Sequence, residues 1–153
     1  MKKLIISACL LGENCRYDGK SKPCPAAMVL GERYQLLPVC PEQMGGLDTP
    51  RPPAEIQGER VINREGRDVT AQYRAGAEAT LRLAIAEGCT LALLKEKSPS
   101  CGSGRVYDGS FTGTLTAGDG VCAALLKAHG VRVLGESESG ALEEWEESTP
   151  MKI

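Results

Sequence analysis

The chain has 153 residues, a formal net charge of −2, 42 % hydrophobic and 25 % charged residues. Those values describe one globular domain of ordinary size. They argue against the basic face that broad nucleic-acid binding requires, while leaving a single nucleotide open as ligand, and no apolar run reaches the roughly 18 residues needed to cross a bilayer. Aromatic residues are only 4 %, so Leu, Val, Ile and Ala must build the core.

Residues 3–7 read as a short buried strand. This strand, rather than a signal peptide, accounts for Leu4-Ile5-Ile6 after the two lysines, and the cytoplasm is the expected compartment. A long loop from Ala8 to Pro25 follows, broken by Gly12, Asn14, Asp18-Gly19 and Pro23. Ala26–Glu32 is expected as a short helix with Pro25 at its first position. Tyr34–Val39 is the second strand. Pro41–Pro53, with four prolines and Gly45-Gly46, reads as a long loop. A small β-hairpin is expected within Ile56–Val69, turning at Asn63–Gly66.

Asp68 or Thr70 then caps a long helix to about Glu87, with Tyr73, Ala77, Leu81, Ala84 and Ile85 on its apolar face and Gly88 as its stop. Leu91–Leu94 is the third strand. Ser98 to Gly120, rich in Gly, Ser, Thr and Asp, is expected to be loop, with Tyr107–Gly109 a turn like Tyr17–Gly19. A helix from Asp119 or Gly120 to about His129 leads to a fourth strand, Val131–Leu134. A last helix, Ala141–Glu147, and a frayed tail over 148–153 complete a single domain, 1–153. The alternation predicts an α/β fold: a mainly parallel, Rossmann-like sheet flanked by helices on both faces, with the hairpin as an insertion.

Seven cysteines are many for such a chain. Three of them, Cys9, Cys40 and Cys101, follow predicted strands, and loops at the carboxyl ends of strands in an open α/β sheet converge on one crevice. Thiolate is the soft ligand of zinc, copper(I) and iron–sulfur clusters. Four thiolates close a structural site, whereas three leave a position open for substrate. No C-x-x-C spacing occurs. Cys89 and Cys122 lie in or beside regular elements and read as small buried hydrophobes. Cys15 and Cys24, both in the first loop, are open between a redox pair, a distal metal site and plain packing.

Glu42 stands two residues after Cys40, placed to act as general base for a water near a metal-bound substrate. Ser98 stands three before Cys101 in the stiff turn Ser98-Pro99-Ser100, placed to donate a hydrogen bond or relay a proton. Lys95 and Glu96 border the same crevice as an expected ion pair. Gly118-Asp119-Gly120 reads as a plain helix start rather than a phosphate site, and His129 as a residue at a helix end. No P-loop and no G-x-G-x-x-G after a strand occurs.

Taken together, SACLLGENCRYDG, PVCPEQMGGL, KEKSPSCG, YDGSFTG and GDGVCAALLKAHGVRVLGE resemble the thiouracil desulfidase family, from Lys3 to about Glu136. The resemblance implies a 4Fe–4S cluster held by Cys9, Cys40 and Cys101 with one iron left open, and Glu42 and Ser98 as the acid/base pair. It implies non-redox removal of sulfur from a thiolated uracil, as base, nucleoside or nucleotide, so the partner is a small thiolated pyrimidine. The residues leave two other classes in play: a non-catalytic iron–sulfur or zinc protein, and a thiol redox enzyme using Cys15 and Cys24.

Overall fold

The computed structural model describes residues 2–142. A four-stranded parallel sheet has the order β2-β1-β5-β8, built from β1 (Lys2–Ser7), β2 (Tyr34–Val39), β5 (Leu91–Leu94) and β8 (Arg132–Gly135). The two central strands are covered on both faces, and their sequences show it: Leu4 to Ser7 and Leu91 to Leu94 are buried without interruption, as parallel strands between two layers must be. Pro38 falls in β2, an edge strand, where a missing N–H breaks no ladder between two neighbours.

The two faces are covered differently. Ile5, Ala92 and Leu94 pack under α3 (Thr70–Glu87) and α4 (Val121–Ala128). Leu4, Ile6 and Leu93 pack instead under Leu10, Cys15, Ala27, Leu30 and Leu142, which belong to the first loop, to α1 (Pro25–Met28), to the 3₁₀ turn Val29–Glu32 that follows it and to the C-terminal segment. Among the described residues the second face therefore carries short helical turns and loop rather than a long helix. Helical backbone resumes at Ser139 and continues through Leu142; the rest of the expected Ala141–Glu147 helix and the tail lie outside the described residues. Among the described residues no helix is long and apolar enough to cross a membrane.

Three readings need correction. The segment after Cys40 is not all loop: Pro41–Met44 forms a one-turn helix, α2, with Pro41 at its first position. The hairpin pairs β3 (Ala54–Gln57) with β4 (Arg60–Asn63) and turns at Gly58-Glu59, while Asn63–Gly66 makes a second turn leading to an Ile62–Asp68 bridge. The polar segment after Cys101 carries a second hairpin, β6 (Arg105–Tyr107) with β7 (Leu115–Ala117). Strands of three residues are too short to show a period.

Helix α3 ends as expected at Gly88, φ 62°, but its N-cap is Val69 rather than Asp68 or Thr70; the Asp68 Oδ1 still accepts from the Thr70 N–H at 2.9 Å. Its buried face differs. Ile85 is 69 % exposed, while Gly76 and Thr80 are buried. Thr80 satisfies its hydroxyl within the helix, donating to the Gly76 carbonyl at 2.8 Å. Gly76 is required because α2 lies against it: a Cβ there would run into the Pro41 carbonyl, and one on Gly45 would run into the Gln72 carbonyl. Gly76→Ala gains under about 1 kcal/mol of helix propensity, whereas overpacking against fixed backbone costs about 1–3 kcal/mol. The clash wins, so chemical denaturation of Gly76→Ala should show a net loss of about 1–2 kcal/mol.

Candidate active site

The carboxyl ends of β1, β2 and β5 open into one cavity of about 580 Å³. The chain moves from β1 to β2 on one side and returns to β5 on the other, so the cavity sits where the strand order reverses, the expected ligand position in such a sheet.

Each cysteine reaches the cavity by a different local device. Cys9 lies in a 3₁₀ turn, Ala8–Leu11, that Gly12 ends at φ 98°. Cys40 is the residue just before α2, in extended conformation. Cys101 sits in a turn organised by Ser98, whose Oγ accepts the N–H groups of Ser100 and Cys101, each at 3.1 Å. The carbonyls of Pro99 and Ser100 accept the first N–H groups of α4, from Val121, Cys122 and Ala123. The start of α4 is thereby spent on fixing the Cys101 turn, which bears out the plain helix start at Gly118-Asp119-Gly120.

A fourth thiol, Cys15, lines the same cavity. The Cys40 thiol donates to the Cys15 carbonyl at 3.6 Å, and the Cys15 thiol is in contact with those of Cys40 and Cys9. The Cys40 contact lowers the Cys15 pKa, but Cys9 and burial outweigh it and push Cys15 up to about 11. The Cys15 contact and burial push Cys40 well above the usual thiol range, and burial does the same to Cys101. Cys9, Cys15 and Cys40 crowd together where thiolates would repel one another, and a cationic iron core would relieve that repulsion. Cys9, Cys15, Cys40 and Cys101 line one cavity, and such a set of soft thiol donors fits an iron–sulfur cluster by its chemistry.

Cys24 starts α1 and packs against the core, so Cys15 has Cys9 and Cys40, not Cys24, as sulfur neighbours in the cavity. Cys89 donates to the carbonyls of Leu91 and Lys3 at 3.2 and 3.3 Å. Cys122 is fully buried behind Cys101, and burial pushes it up to about 12. Both are buried, as small hydrophobes are.

Glu42, in the first turn of α2, points into the cavity with its carboxylate shared. Arg51 Nε donates to Oε1 at 3.0 Å, and the Arg51 and Glu42 side chains are 7 % and 14 % exposed. Ser100 Oγ donates to Oε2 at 2.9 Å. The phenol of Tyr73 also bonds to Glu42, and burial first, then that carboxylate, raises the Tyr73 pKa so that it remains a donor. Ser98 Oγ stands 3.5 Å from Glu42 Oε2 but 3.0 Å from Ser100 Oγ. The expected pair, Glu42 and Ser98, is therefore brought into one cavity and joined through Ser100.

Sequence reasoning missed Arg51, Tyr73 and Ser100. Arg51 also donates to the carbonyls of Cys15 and Asp48, both at 3.0 Å, and so ties the first loop to the second. The ion pair expected at Lys95 and Glu96 is rearranged: Lys95 pairs with Glu136 at 3.2 Å, and Glu96 accepts from the N–H and hydroxyl of Ser137. Burial raises Glu96, but the Ser137 bonds outweigh it and hold the carboxyl low. His129 bonds through Nδ1 to the Leu125 carbonyl at the end of α4.

Residues 4–138 match the model of a family described as 2-thiouracil desulfurase. The uncharacterized protein YbbK of Bacillus subtilis (strain 168) is 41 % identical over 145 residues, which is 88 % of this chain and 96 % of that protein. A solved structure of a [4Fe-4S]-dependent thiouracil desulfidase, TudS, is similar at a TM-score of 0.91 and 49 % identity, covering 97 % of this chain and 100 % of that one.

Proposed function

We propose, from the premise that this chain belongs to the 2-thiouracil desulfurase family, that it hydrolyses the C–S bond of a thiolated uracil at a 4Fe–4S cluster held by Cys9, Cys40 and Cys101. One observation carries the reading: thiols from three strand ends and a hydrogen-bonded Glu42–Ser100–Ser98 array line a single cavity. When bound, the cluster supplies an iron without a protein ligand, a soft Lewis acid for the thiocarbonyl sulfur.

The chain's own groups supply the rest. Glu42 takes a proton from a water as its oxygen adds to the thiocarbonyl carbon. Arg51 balances the charge of that carboxylate and fixes its direction. The array Glu42 Oε2, Ser100 Oγ, Ser98 Oγ returns the proton toward the departing sulfur. Thiouracil and water become uracil and hydrogen sulfide, with no net electron transfer. Cys15 is the cavity thiol that this scheme leaves unligated.

Anaerobic reconstitution followed by counting iron, acid-labile sulfide and uracil, with 2-thiouracil and 4-thiouridine monophosphate as substrates, tests the reading. About four irons per chain and release of uracil with sulfide are expected. A full cluster without release would leave a non-catalytic iron–sulfur protein. Arg51→Gln should keep the iron content and lower kcat on the order of 10–100-fold, the cost of a misplaced base; steady-state kinetics of the reconstituted variant check this.

A further inference from the structure

Among the described residues two non-glycines have positive φ, Lys97 and Phe111, and both line the cavity. Phe111 is the chain's single phenylalanine. It stands in the turn between β6 and β7 at φ 58°, a conformation that a bulky side chain keeps only where its surroundings impose it.

The surroundings are on β3. Glu55 is 8 % exposed, and its Oε1 accepts the N–H of Gly109 at 3.0 Å and that of Phe111 at 3.1 Å. Gln57 donates to the Gly109 carbonyl at 2.8 Å. A buried carboxylate is tolerated only where such donors meet it. Arg64 stands over one face of the Phe111 ring, 5.7 Å from its centroid. A buried acid, an amide and a guanidinium thus hold one aromatic ring at the cavity wall in a strained backbone.

We propose that Phe111 is the residue that recognises the flat ring of the substrate, stacking on the pyrimidine with the face that Arg64 leaves open. Glu55 and Gln57 are the positioning residues that keep it there. The proposal rests on the thiouracil reading and supplies what that reading lacks. Glu42, Ser98 and Ser100 address a water and a thiocarbonyl group, which any thioamide would offer, and none of them senses an aromatic ring. An offset stack does.

The test uses cluster-loaded wild type, Phe111→Ala, Phe111→Leu and Phe111→Tyr. The readouts are KM for 2-thiouracil and the equilibrium dissociation constants of uracil and 5,6-dihydrouracil, which share carbonyl and N–H groups but differ in ring flatness. Alanine and leucine should raise KM about tenfold, the scale of a base–aromatic stack, and bring the uracil preference close to unity. Tyrosine should restore both, and iron content should not change. Glu55→Ala should shrink the preference with Phe111 still present. A wild-type preference already near unity, or one that survives Phe111→Ala and Phe111→Leu, overturns the stacking role. A preference unmoved by Glu55→Ala overturns the positioning role. Loaded wild type that never turns over thiouracil would sink the desulfuration reading instead, and the binding ratio would still decide the stack.

Discussion

Cys101→Ser should yield a folded protein that assembles no 4Fe–4S cluster and releases no sulfide from thiouracil. A serine hydroxyl is a hard, weakly acidic ligand where iron selects soft thiolate. The turn carrying Cys101 is fixed at both ends by Ser98 and by the first N–H groups of α4, so it cannot swing another donor into place. The change removes one sulfur and leaves the packing of a buried side chain nearly intact, so circular dichroism should match wild type. Cys9→Ser and Cys40→Ser should behave alike. Cys15→Ser is the informative contrast: with three ligands it keeps iron and sulfide at wild-type content, whereas a four-ligand site would lose them. Full iron content in Cys101→Ser would overturn the ligand assignment.

Glu42→Gln separates chemistry from cluster binding. The amide preserves size and one acceptor oxygen but cannot take a proton, so kcat should fall on the order of 10²–10⁴-fold, the usual contribution of a positioned general base. Iron content should be unchanged. The same substitution leaves the Arg51 guanidinium, 7 % exposed, without its countercharge, and breaking a buried pair from one side costs about 3–5 kcal/mol. Thermal unfolding should therefore begin earlier even though the cluster is present. Glu42→Gln with kcat within a few-fold of wild type would remove Glu42 from the reaction.

The architecture was legible where it follows from topology. Buried apolar runs at Leu4–Ser7 and Leu91–Leu94 required a two-sided parallel sheet, and that sheet required its loops to meet. Hence Cys9, Cys40 and Cys101, scattered in sequence, could be grouped before any coordinates. What failed depends on information that a residue's type does not carry. Tyr73 fits a helix period by its ring, and periodicity says nothing of the hydroxyl that meets Glu42. Arg51 sits in a proline-rich loop whose path no local rule specifies. Ser100 lies between two expected residues, and only the turn geometry shows that it, rather than Ser98, makes the shorter bond to the carboxylate. The β6–β7 hairpin is stabilised from outside by Glu55 and Gln57, so its own sequence carries little strand signal.

Gly45 and Gly76 let two backbones touch immediately beside the segment that carries Cys40 and Glu42. The proposed ligand and base therefore inherit their placement from a contact in which no functional group takes part. A random-mutagenesis screen for lost turnover would recover both glycines alongside Cys40 and Glu42, although neither offers an atom that could reach a substrate.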